Sequence, residues 1–394
     1  MKKIISKCLI IILIISMSFA VACKKEKSGE FEQIKKDEKV TDKETEAKET
    51  TGLTETETEK EIVETETEQE TKVSESEIKQ TEAETETKTA ESDQELTELS
   101  KFAGRPISKE DNAKLPLAVM FDNSPDARMH AGIRQADMVF EMRVEGTYTR
   151  YLVIFHSQEA DLLGPIRSAR KYYIERMQEF DAGYAHVGGS SEATEILASG
   201  EYNDLDAMFA PASAMWRYND TGKVAPHNMY SKTQALREFA ESRGYPSTTD
   251  KEGYAFNAEA KTPNGEKAES VEINYFFDNN SLFTYMPETK TYSLTKDGVE
   301  QVDENDQKPF EIVNIIIQES EYYPHPTIGG ILTLDHIGEG TGYYISQGQY
   351  VPLTWSKQDA ESKTQYFVDG EELKLNPGQT WVLVTGSETG ITIK

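Results

Sequence analysis

The chain has 394 residues, with 70 Asp and Glu against 42 Lys and Arg and a formal net charge of −28 at pH 7. So acidic a molecule is repelled as a whole by nucleic acid and by anionic lipid surfaces. Its 2 cysteines, Cys8 and Cys23, exclude a disulfide-built scaffold, so any folded part must hold together by burying a core.

Lys2, Lys3 and Lys7 precede an almost unbroken apolar stretch from Cys8 to Ala22. This is the layout of a secretory signal, and about 15 apolar residues are too few to cross a ~30 Å hydrocarbon core. Plain cleavage after Ala22 satisfies the small-residue rule but leaves Cys23 as a lone thiol in an exported chain. Ala20-Val21-Ala22-Cys23 resembles the lipobox of bacterial lipoproteins, whose cysteine carries a diacylglyceryl group. Residues 1–22 are therefore expected to be a signal peptide, with Cys23 lipidated and the rest held at the outer face of the cell membrane.

Residues 24–100 hold 26 Asp and Glu against 12 Lys and no Arg, with Phe31 the only aromatic. Thr-Glu alternation has the period of a strand, but both faces are polar and no core is offered, so 23–100 reads as a lipidated cysteine followed by a disordered tether. As a flexible chain it spans typically about 50 Å. It is expected to act as a spacer, because the acid run repeats no cation-ligand geometry.

Residues 101–246 read as an α/β (or α+β) domain. Residues 115–121 form an apolar run stopped by Asp122-Asn123-Ser124-Pro125, and Gly146-Thr147 separates two strand patterns in the manner of a hairpin. Helical patterns follow at about 168–180, 192–199 and 232–243, with a strand at 183–187. The proline- and glycine-punctuated stretch 247–266 reads as a linker. Residues 267–394 change to short strands separated by turns, including Asp297-Gly298 and Asp369-Gly370, and predict a mostly β domain, a sandwich or half-open barrel.

Four patches in the first domain could carry chemistry. In Gly164-Pro165-Ile166-Arg167-Ser168-Ala169-Arg170-Lys171, three cations crowd a helix start, where the dipole prefers anions. Their partners are either internal carboxylates such as Glu141 or Glu145, or an anionic ligand. In His186-Val187-Gly188-Gly189-Ser190-Ser191, either Ser190 or Ser191 is a nucleophile with His186 as base, or Ser191 simply caps a helix. His227, in Pro226-His227-Asn228, is either an acid–base group or a hydrogen-bonded structural residue. Glu145 to Arg150 form the fourth patch, at the hairpin tip. No metal framework and no cofactor motif is present.

Taken in order, Pro116 to Met120 ending in Asn123, Gln135-Ala136-Asp137, Glu145-Gly146 to Arg150, the Gly164 to Arg170 run, His186 to Ser190 and Pro226-His227-Asn228 resemble the YerB-like lipoproteins. Pro377-Gly378-Gln379-Thr380-Trp381 is similar to that family's C-terminal half. The resemblance implies a two-domain envelope lipoprotein of monoderm bacteria and assigns no activity.

The leading expectation is a binding module. Arg150, Arg167, Ser168 and Arg170, with Glu141, Glu145, His186, Ser190 and His227 around them, would hold a carboxylate, phosphate or sugar of a cell-wall polymer in a polar cleft. The alternatives are a hydrolase or transferase acting on envelope glycan through Ser190 or Ser191 with His186 or His227, and a regulator that contacts another envelope protein. None of these readings involves nucleic acid.

Overall fold

The computed structural model describes residue 96 and residues 98–394. The signal, Cys23 and the tether up to residue 95 lie outside the described residues. The last residues assigned to the tether belong to the fold: Glu98–Leu99 pairs antiparallel with Pro106–Ile107, and Ser100 is buried.

The first half builds β1 (Leu117–Asp122), β2 (Met138–Arg143), β3 (Thr149–Phe155), α1 (Lys171–Met177), β4 (Gly183–His186), α2 (Ser191–Leu197), β5 (Asp204–Asp206) and α3 (Thr233–Ser242). From β1, the chain makes the β2–β3 hairpin on one side and returns to place β4 and β5 on the other. β1, β4 and β5 run parallel, while β3 runs antiparallel between β1 and β2. The second half adds β6 (Ser270–Phe276), β7 (Asn279–Met286), β8 (Thr291–Lys296), β9 (Ile312–Glu319), β10 (Gly338–Ser346), β11 (Gln349–Lys357), β12 (Gln365–Val368), β13 (Gln379–Thr385) and β14 (Gly390–Ile393). This is the mixed first half and mostly β second half that the sequence predicts.

The halves share one sheet. β13 lies parallel to β2 on one side and to β9 on the other, with Val382 opposite both Phe140 and Ile316. A strand flanked on both edges and covered on both faces reads as a near-continuous apolar run, and β13, buried at every position, has Trp381-Val382-Leu383-Val384 at its centre. Alternation then sorts the core. Phe140, Met142, Val382 and Val384 pack under α1 and α2, whereas Val139, Trp381 and Leu383 face a layer built from α3 and the strands β6 to β8.

Residues 247–266 are not a free linker. Thr249 donates its amide to Ala113 O, Tyr254 to Lys101 O and Asn257 to Leu375 O, so the segment straps both halves. Its prolines and glycines mark irregular backbone, but irregular backbone against a folded surface still pairs its N–H groups.

Glu141 and Lys296 meet inside this junction. Both side chains are fully buried with Nζ and Oε1 2.6 Å apart; Lys296 also donates to Ser281 Oγ, and Thr149 donates its hydroxyl to the same Oε1. Burial lowers the Lys296 pKa and the Glu141 charge opposes that fall. Lys296→Met leaves a buried carboxylate unpaired and should cost about 3–5 kcal/mol, most of it recovered when Glu141→Leu is added. Chemical denaturation of the single and double variants checks this, and a double variant as unstable as Lys296→Met would contradict it.

Candidate functional site

β1, β2, β4 and β5 all point the same way, so their carboxyl ends lie along one edge of the sheet. That edge collects Asp122 at the end of β1, Glu145 just past β2, His186 at the end of β4 and Asp206 at the end of β5, while Arg150 starts β3 there. β1 and β4 flank the point where the chain changes side, the place where open sheets of this kind leave a crevice.

Residues 165–169 fill that crevice as a segment tied to both strand ends by isolated backbone pairings. Asp122 donates its amide to Pro165 O and Arg167 to Met120 O, while Val187 donates to Arg167 O and Ala169 to Gly188 O. The Ile166 amide donates to Met229 O at 2.6 Å, which brings the chain carrying His227 beside the one carrying Arg167. Gly164 makes the approach possible: its φ is +141°, and a Cβ there would stand 2.8 Å from Met229 O.

Asp122 organises the groups so assembled. Its Oδ2 lies 2.8 Å from His227 Nδ1 and 3.1 Å from Arg167 Nε. Burial opposes its ionisation, but the Ser124 amide, His227 and the charges of Arg167 and Arg150 outweigh this and hold it below the usual carboxylate range. Arg170 grips Glu145 through two parallel bonds of 2.6 and 2.7 Å and spends Nη1 on Ala169 O. Burial opposes both charges, and the mutual contact still lowers the Glu145 pKa and raises that of Arg170.

Arg150 and Arg167 are left with unused donors. Arg150 is 8% exposed and donates only Nη1, to Ser168 O at 2.6 Å; burial first, then neighbouring Arg170 and Arg167, bring its pKa down to about 10. Tyr173 braces the strand beneath it: its hydroxyl lies 2.7 Å from Met142 O and 2.8 Å from Arg150 O, which share its one proton. Among the described residues, neither terminal nitrogen of Arg167 has a hydrogen-bond partner, and its side chain keeps 26% of its surface in solvent. Two carboxylates, Asp122 and Glu145, contact Arg167 and Arg170 directly, whereas Arg150 makes no ion pair of its own.

The edge thus brings together Glu145, Arg150, Arg167, Ser168, Arg170 and His227 from the expected set, and adds Asp122. The sequence offers a signal for it, a polar Asp-Asn-Ser stop after a fully apolar strand. Glu141 is not among them, because it points into the junction with Lys296. His186 and Ser190 stand beside the cluster in structural roles. His186 Nε2 lies 2.7 Å from Asp204 Oδ1 and its Nδ1 lies 2.8 Å from Gly188 O, so both ring nitrogens face acceptors and neither is free to serve as a base. Ser190 Oγ accepts the Ala193 amide and caps α2, while exposed Ser191 is that helix's first residue.

Because Asp122 binds protons less readily folded than unfolded, its contribution to stability is present above its unfolded pKa and is lost as pH falls through the folded one. Asp122→Asn should therefore make the melting temperature less steeply dependent on pH below about 4. An unchanged slope in thermal unfolding between about pH 4 and 2 would contradict this assignment.

Residues 102–246 match the family model "Protein of unknown function (DUF3048) N-terminal domain", and residues 271–382 match the corresponding C-terminal domain. A Bacillus subtilis (strain 168) protein named "Putative lipoprotein YerB" is 30% identical over 270 residues, covering 68% of this chain and 80% of that protein. The crystal structure of the YerB protein from Bacillus subtilis superposes with a TM-score of 0.68 at 28% identity, covering 74% of this chain and 99% of the other. With both halves matched in order, the chain belongs to the YerB-like family of DUF3048 proteins.

Proposed function

We propose that this chain is a lipid-anchored extracytoplasmic module that binds an anionic group of the cell envelope between Arg150 and Arg167. Cys23 supplies the anchor, and the acidic tether holds the folded part away from the membrane. The observation that carries the reading is a pair of guanidinium groups with spare donors, both terminal nitrogens of Arg167 and all but Nη1 of Arg150, beside Arg170, which is fully engaged. A buried arginine left with unused donors is costly, and a carboxylate or phosphate offers paired acceptors at the spacing of its planar fork.

The overall charge limits how the ligand arrives. A protein of net charge −28 does not draw a polyanion from a distance, so recognition acts at short range and depends on shape and hydrogen bonds. Arg217 and Lys223 border the same region but are engaged, Arg217 with Asn228 and Lys223 with Glu304. Selectivity then rests with the two free arginines.

Thermal unfolding of the purified full chain with inorganic phosphate, glycerol phosphate and cell-wall fragments tests the reading. A ligand at one hundred times its Kd should stabilise the fold by about 2.7 kcal/mol. Arg167→Ala should remove that shift while the unliganded variant stays folded. A panel with no shift, or a shift that persists in Arg167→Ala, would count against it.

A further inference from the structure

His227 has a geometry that binding alone does not use. Asp122, held ionised by its neighbours, can only accept hydrogen bonds. In the neutral ring the 2.8 Å contact places the proton on Nδ1 and the lone pair on Nε2, which has no hydrogen-bond partner among the described residues. This is the arrangement in which a carboxylate fixes the tautomer of a general base. Ser124 Oγ, 3.1 Å from the same Nδ1, faces a nitrogen that already carries its proton, so His227 does not activate it as a nucleophile. The dyad is accessible: the His227 side chain keeps 18% of its surface exposed and borders an open groove of about 620 Å³ with Asp126, Arg128, Met129 and Val224.

The same carboxylate oxygen that orients His227 also meets Arg167 Nε, so base and cation are held against one atom. A phosphodiester has two non-bridging oxygens that the spare guanidinium donors of Arg150 and Arg167 can meet together.

We propose that this site hydrolyses a phosphodiester, with His227 as general base, Arg150 and Arg167 as phosphate holders and Asp122 as the positioning residue. The proposal rests on the anion-binding reading. A water molecule attacks phosphorus and gives one proton to His227 Nε2. The new P–O bond forms as the ester P–O bond breaks, the departing alkoxide takes a proton from solvent, and His227 returns its proton to solvent. The products are a phosphomonoester and an alcohol.

Binding and turnover are measured separately on the purified full chain, with diethyl phosphate as the slowly hydrolysed probe for calorimetry and bis(4-nitrophenyl) phosphate as the chromogenic substrate. His227→Gln should lower kcat by about 10²–10⁴-fold and leave the Kd for diethyl phosphate within about threefold. Asp122→Asn should lower kcat by more than it changes KM, a split that simple loss of fold does not give. Arg167→Ala should abolish both binding and turnover. Binding of diethyl phosphate without turnover by the wild type, or turnover unaffected in His227→Gln, would overturn the hydrolytic proposal and leave the anion site standing. Absence of binding to diethyl phosphate would overturn both.

Discussion

The parallel insertion of β13 between β2 and β9 is the constraint on which the rest of the molecule depends. It is the strand by which the C-terminal half completes the sheet of the N-terminal half, and every one of its residues is buried. Removing it would expose the edge of β2 and both core layers at once. The insertion also fixes the direction of β2, and with it which edge of the sheet carries Glu145. The buried Glu141–Lys296 pair sits in the same junction, so the charges there specify how the halves meet, and the charges at the carboxyl edge are left for other work.

At that edge, the fold concentrates cations in spite of an acidic chain. Pairing of residues 165–169 between the ends of β1 and β4 brings Arg167 and Arg170 to a place already occupied by Arg150. Burial and the neighbouring arginines act against the charge on Arg150, whereas at Arg170 the contact with Glu145 outweighs burial. Such a site is poor scaffolding, because Arg170 with Glu145 alone would close the helix start. It is suited to an anion that brings several acceptors, and partial burial strengthens each bond it makes.

Much of this was legible in the sequence, and the parts that were not share a cause. The Gly164 to Arg170 run and Pro226-His227-Asn228 stand out because turn residues adjoin charged ones, and local backbone chemistry then sets their structure. The pairing of Arg170 with Glu145 was one of the foreseen choices. Lys296 was invisible, since it lies 155 residues from Glu141 and reads as an ordinary strand end before an Asp-Gly turn. Asp122 looked like a turn residue for the same reason: its partners come from residues 167 and 227. The stretch 247–266 misled because its composition reports irregular backbone and says nothing of whether that backbone is docked. His186 misled because a histidine before glycines and serines has the right spelling for a nucleophile's base, while its nitrogens are taken by Asp204 and Gly188.

The central claim is that an anion sits between Arg150 and Arg167, and a crystal structure of the chain grown with inorganic phosphate tests it most directly. The account predicts phosphate bound by the terminal nitrogens of Arg167 and the free donors of Arg150, with the Arg170–Glu145 pair undisturbed. Phosphate bound elsewhere, or these two arginines turned onto carboxylates of the protein itself, would contradict it.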